Sequence, residues 1–144
     1  MRIIILGPVV CKQSSGGVAV FNESLFDGFV SLGDNVQIIS ISKSDRIHNI
    51  VIGNGKKCPN SIPFFTKKIA IEIKKYKPDV VVSSLQYSLG IKLYKRLWPH
   101  AKYVQVLHGY PCPVNGWLKS KVVNSVAKYS RKHFDYLVTV SYVS

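Results

Sequence analysis

Residues 5–29 read ILGPVVCKQSSGGVAVFNESLFDGF, and the order of elements inside this stretch decides the fold. Its start belongs to the run RIIIL at 2–6, a short β-branched segment closed by Gly7 and Pro8. A continuous apolar run of that length marks a strand buried on both faces of a parallel sheet. After the loop, Val18, Phe21, Leu25, Phe29 and Leu32 recur at spacings of three and four, which places them on one helical face. Gly33 then ends the helix. The loop between Gly7 and Gly16 exceeds the usual strand-to-helix connection of about 2–6 residues, which points to a binding role. Gly16 and Gly17 open the helix, where unpaired N–H groups and the helix dipole favour an anion and no side chain obstructs a close approach. A tight turn with no ligand accounts for the pair equally well. Neither G-x-G-x-x-G nor G-x-x-x-x-G-K-[ST] is present, so a dinucleotide fingerprint and a P-loop are both unsupported.

The same alternation continues along the chain. NVQIISI at 35–41 reads as a second strand and RIHNIVI at 46–52 as a third. The segment FFTKKIAIEIKKYKP at 64–78 is a helix with an apolar stripe of Phe65, Ile69, Ile73 and Tyr76, stopped by Pro78. DVVVSSL, a helix around YSLGIKLYKRLW, the strand KYVQVL, the loop HGYPCPVNG, the helix WLKSKVVNSVAKYSRKHF and the strand YLVTVS complete the order. This rhythm predicts right-handed βαβ units in an α/β fold, a Rossmann-like doubly wound, mostly parallel sheet. Residues 1–144 form a single domain, without repeats or an interdomain linker. A chain of this length buries about 68–70% of its unfolded surface and needs no staples.

The composition is globular, at 47% hydrophobic and 19% charged residues. Its charge is one-sided: Lys and Arg number 20, Asp and Glu number 7, and the formal net charge is +13. Such a surface favours phosphate-rich partners, whether nucleic acid, anionic lipid or sugar nucleotides. Cys11, Cys58 and Cys112 are widely spaced, which supports neither a zinc site nor a disulfide framework and fits a reduced, cytoplasmic chain. The N-terminal apolar run is broken by Gly7 and Pro8 and reads as a strand, not as a signal peptide. No run approaches the ~20 apolar residues of a membrane-spanning helix.

His108 follows the strand KYVQVL, so its imidazole is expected at the same carboxyl edge as the glycine loop, where an open α/β sheet binds ligands. It is a candidate hydrogen-bond donor to a hydroxyl or phosphate. A histidine that only caps the strand is the competing reading. His48, His100 and His133 read as surface or helix-end residues. Glu23, Asp27 and Asp34 read as helix-face or turn residues and Asp79 as a strand start, which leaves no carboxylate general base.

The succession MRIIILG, SSGGVAVFNESLFDGFVSLGDNVQIISI, KPDVVVSS, VQVLHGYP and FDYLVTVS resembles the N-terminal Rossmann-like domain of GT-B glycosyltransferases of family 4. The resemblance implies transfer of a sugar from a nucleotide-sugar donor to a hydroxyl acceptor, a glycolipid or glycan precursor, with retention and without a metal or other cofactor. It implies that Gly16 and Gly17 approach the donor phosphates and sugar, that His108 lies beside the reacting sugar, and that Gly109 and Tyr110 belong to the acceptor-side loop. The family's usual GHxV appears as GDNV at 33–36, a departure at a surface turn. The family's nucleotide-gripping C-terminal domain has no counterpart before Ser144. The expectation is a fragment, or one half of an enzyme whose donor side is another subunit, with the isolated chain inactive.

On a wheel of residues 117–133, Leu118, Val122, Val126 and Tyr129 cluster on one side and Trp117, Lys121, Lys128, Arg131 and Lys132 on another. The second set suits an anionic membrane surface, with the indole at headgroup level. An ordinary solvated basic face, with Trp117 packed on the preceding loop, is the alternative. Lysines of TKKIAIEIKKYK extend the patch if their helix shares that side of the sheet. A noncatalytic membrane-docking subunit that partners a separate donor-binding subunit is the second functional reading. Specific nucleic-acid binding has only the charge in its favour.

Overall fold

The computed structural model describes residues 1–12, 16–53, 62–108, 128 and 131–140. Six strands form one sheet: β1 (Arg2–Leu6), β2 (Asn35–Ser40), β3 (Ile50–Val51), β4 (Val80–Ser84), β5 (Lys102–His108) and β6 (Tyr136–Val140). Their order is β3-β2-β1-β4-β5-β6, and every pairing is parallel. Ile3 pairs with Val36 on one side and Val80 on the other, so β1 is central. The chain reverses its direction of travel across the sheet between β1 and β4. The expected Rossmann-like doubly wound sheet is present, and it is parallel throughout.

Alternation along β1 separates two core layers. Ile3 and Ile5 face α1 (Gly17–Ser31) with Val36, Ile38, Val82 and Val106. Ile4 and Leu6 face α2 (Ile62–Tyr76) and α3 (Ile91–Leu97), where Ile69, Ile73, Ile91, Tyr94 and Tyr103 are fully enclosed. Each such aliphatic side chain contributes about 1.5–3 kcal/mol by leaving water. Gly33 at φ +84° ends α1 as expected, its N–H bonding Val30 O at 3.0 Å. Leu32, expected on the buried stripe, is 78% exposed because the helix has ended there. The strand expected at 46–52 is cut to Ile50–Val51. Ser44 Oγ accepts from the N–H groups of Arg46 and Ile47, and Asn49 Oδ1 accepts from Ser44 N–H, so side chains take backbone groups a ladder would use.

The helix expected around 87–98 begins as a 3-10 segment, Leu85–Gly90, and becomes α3. Gly90 has a packing reason: a Cβ there would lie 2.6 Å from the Tyr94 ring. Tyr94 hydroxyl donates to Tyr87 O at 2.8 Å, and Tyr103 hydroxyl lies 3.0 Å from Tyr94 O and 2.5 Å from Trp98 O. Burial pushes both phenols far above their ordinary range. A raised folded-state pKa gives stability that is complete below the unfolded value of about 10 and is lost as pH rises beyond it. Stability by denaturant titration is therefore expected to fall steeply above that pH, and Tyr94→Phe to flatten the fall; an unchanged slope in Tyr94→Phe would contradict the assignment.

Candidate functional site at the carboxyl edge

The switch between β1 and β4 opens the crevice where sheets of this kind hold ligands. Gly7, at the end of β1, has no room for a side chain: a Cβ would meet Asn22 Nδ2 at 2.4 Å and Ser84 Oγ at 2.6 Å. Asn22 Nδ2 donates to Pro8 O at 3.0 Å, which ties the loop after β1 to α1. Gly16 is different. It is the exposed N-cap of α1, with φ −64° and ψ 160°, and a Cβ there would meet nothing within 4 Å. Neither backbone conformation nor packing excludes a side chain at that position, glycine being one of the residues favoured at a helix N-cap, and the open space leaves the backbone accessible from outside. Gly17 is the first, exposed residue of the helix.

His108 is the last residue of β5, paired with Val140 of β6. Its ring meets Phe21 edge-on, with centroids 5.0 Å apart and planes at 81°. Phe21 lies one turn beyond Gly17, so α1 brings the glycine-bearing helix start and His108 to one edge. Burial lowers the His108 pKa, which keeps the imidazole neutral near pH 7, able to donate from one nitrogen and accept at the other. Gly109, Tyr110, Trp117 and Lys121 lie outside the described residues, as do Cys58 and Cys112. Lys128, Arg131 and Lys132 are exposed and stand apart from this edge in the sequence before β6. Among the described residues, no group of three or more His, Cys, Asp and Glu is placed to hold a metal ion.

Glu23 lies on a face of α1, as expected, and the structure adds that this face is the buried one. Its side chain is 2% exposed. Its carboxylate accepts from Val10 N–H, from Ser44 Oγ at 3.3 Å and from Arg46 Nε at 3.2 Å, and Arg46 also reaches Asp27 at 2.8 Å. This clamp fixes the loops after β1 and β2 against α1. The signal was available: Ala19, Asn22, Glu23 and Phe26 share a helical face, and the first three are fully buried.

Leu85 went unnoticed in the sequence. It directly follows β4 at the switch point, 46% exposed, with φ +54°. A left-handed leucine is strained by about 1–2 kcal/mol. Leu85→Gly is expected to raise stability by up to about 1 kcal/mol in thermal unfolding, glycine's own entropy offsetting part of the relief. A loss of stability would show that Leu85 contributes packing that outweighs its strain.

A six-stranded parallel sheet of order 3-2-1-4-5-6, with a glycine-opened helix and a histidine at its carboxyl edge, defines a Rossmann-like α/β domain. The sequence model of Glycosyltransferase Family 4 matches residues 15–143, and the chain belongs to that family. Among solved structures it is similar to an alpha-glucosyltransferase in complex with UDP and a 13-mer DNA containing an HMU base, with TM-score 0.60 and 16% identity over 96% of this chain. The chain spans 37% of the length of that protein. It is also similar to a family 3 carbohydrate esterase from Clostridium thermocellum, with TM-score 0.56, 15% identity, and coverage of 99% of this chain and 82% of the other. At these identities the likeness shows a shared fold. Comparison with curated proteins finds no match.

Proposed function

We propose that this chain is the acceptor-side Rossmann-like domain of a retaining glycosyltransferase that moves a sugar from a nucleotide-sugar to a hydroxyl of a glycolipid or glycan precursor. The observation that carries the reading is the convergence of the glycine-opened helix and His108 through Phe21. The N–H groups at Gly16 and Gly17 take the donor's phosphate charge. Neutral His108 bonds a hydroxyl of the transferring sugar and holds it over the edge. The acceptor oxygen bonds to the anomeric carbon as the bond to phosphate breaks. The electron pair leaves with the nucleoside diphosphate, and the acceptor proton passes to the departing phosphate oxygen, so the step needs no carboxylate from this domain and no metal. Acceptor contact is assigned to Gly109 and Tyr110.

A second domain or subunit supplies the nucleotide grip, and the enzyme works at the cytoplasmic face of a membrane, with lipid contact assigned to the basic set of Trp117, Lys121, Lys128, Arg131 and Lys132. No helix among the described residues is long and apolar enough to cross a membrane. The test is transfer of radiolabelled sugar from a panel of nucleotide-sugars to extracted lipids and glycans by the assembled transferase. Gly16→Val is expected to reduce transfer about tenfold by obstructing the donor, with stability changed by no more than about 1 kcal/mol. Full transfer by Gly16→Val would remove the glycine edge from the donor site.

A further inference from the structure

Among the described residues φ is positive at Gly33, Lys77 and Leu85. The first two have a structural reason. Gly33 closes α1 and Lys77 closes α2, with N–H groups bonded to Val30 O at 3.0 Å and to Ile73 O at 2.9 Å, and a left-handed residue is a common end to a helix. Leu85 ends no helix. It follows β4 and opens the 3-10 segment.

The neighbours of Leu85 explain its angle. Ser83 Oγ and Ser88 Oγ lie 3.0 Å apart, Ser84 Oγ donates to Leu6 O at 3.4 Å, and the Tyr87 hydroxyl accepts from Ile41 N–H at 3.1 Å. All four of these residues are buried, so the chain is pinned on both sides of Leu85. The same neighbours do not explain the leucine. Glycine adopts this conformation freely and Asn tolerates it, whereas leucine is strained there. At 46% exposure its side chain lacks the full burial that would offset the strain. Strain imposed by the surroundings and not returned by packing collects at ligand sites.

Ser84 pairs with Val106, so Leu85 emerges at the carboxyl edge beside Leu107 and His108. Alternation along β5 sets His108 on the α1 side, against Phe21, and Leu107 on the side of the 3-10 segment. The edge is thereby divided, with hydrogen-bonding groups at Gly16, Gly17 and His108 on one side and the aliphatic residues Leu85 and Leu107 at the other. We propose that Leu85 contacts the acceptor and that the group it contacts is apolar, which selects the lipid-linked class from the acceptors considered above. Leucine gives carbon surface and no hydrogen bond. A hydroxyl-covered ring set against it would lose bonds to water with nothing in exchange, whereas an alkyl stem gains by leaving water. The inference rests on the transfer reading and deepens it by naming the acceptor class.

Two substitutions separate side chain from backbone. Leu85→Asn is similar in size and tolerates the left-handed conformation but presents an amide, and Leu85→Met keeps an apolar side chain. Each is built into the assembled transferase and assayed with extracted lipids and, separately, with water-soluble glycans as acceptors, beside thermal unfolding. Leu85→Asn is expected to unfold at the same temperature as the unaltered protein or higher. Its KM for the lipid acceptors should rise roughly tenfold, with kcat and the KM for nucleotide-sugar unchanged, and Leu85→Met should stay within about twofold of the unaltered enzyme. An unchanged acceptor KM in Leu85→Asn overturns the proposal, and so does a lower unfolding temperature, because packing would then account for the leucine. An equal rise with water-soluble glycans overturns the choice of a lipid-linked acceptor. Absence of transfer by the unaltered enzyme would remove the transfer reading and this inference together, whereas normal transfer with indifferent Leu85 variants would remove this inference alone.

Discussion

Glu23→Ala is expected to destabilise the domain by about 3 kcal/mol, seen as a fall of roughly 10 °C in the thermal midpoint. The size follows from what the carboxylate holds. Val10 N–H, Ser44 Oγ and Arg46 Nε all donate to it, at a place where its side chain is 2% exposed. Alanine strands these donors and frees two loops from α1. Glu23→Gln retains an oxygen for one donor but loses the charge and turns an amide towards another, so an intermediate loss is expected. A midpoint unchanged in both variants would mean that water replaces the carboxylate at no cost, and the clamp would then have no energetic meaning.

His108→Ala is expected to reduce transfer by the assembled enzyme by two to three orders of magnitude, roughly the effect of deleting one well-placed hydrogen-bond donor from a transition state. Stability should fall by only about 1 kcal/mol, chiefly through the lost edge contact with Phe21. The pH dependence separates this role from a cationic one. Burial lowers the folded-state pKa below the ordinary 6.5, so neutral His108 and the transfer it supports should persist below that pH and fail only in more acid solution. The linked stability has the same sign: present above the unfolded pKa, and lost as pH falls towards the folded value. Transfer that requires protonated His108 would instead increase as pH is lowered through this range.

Strands were legible because their signal is local and redundant. RIIIL and DVVVSSL name β1 and β4 within a residue, since a strand covered on both faces must be apolar along its length. The edge strand β3 was overestimated, because Ser44 and Asn49 bind backbone groups by a geometry that periodicity does not carry. His108 was placed correctly at the carboxyl edge by counting to the end of KYVQVL. Its contact with Phe21 depends on the relative seating of α1 and β5 and had no sequence signal. The burial of Glu23 was not read from the sequence, because the partners that engage its carboxylate lie 13 to 23 residues away. Leu85 carries its strain in a dihedral angle that its residue type argues against.

The central claim is that the carboxyl edge joining Gly16, Gly17 and His108 receives a nucleotide-sugar. Amide NMR of the isotope-labelled chain, titrated with UDP-glucose and GDP-mannose, addresses it without the donor-gripping partner, because it registers weak binding residue by residue. The account predicts saturable shifts at Gly16, Gly17, Phe21 and His108 with at least one of the two, lost in Gly16→Val. Shifts confined to the lysines of α2, or spread without saturation over the basic surface, would contradict it.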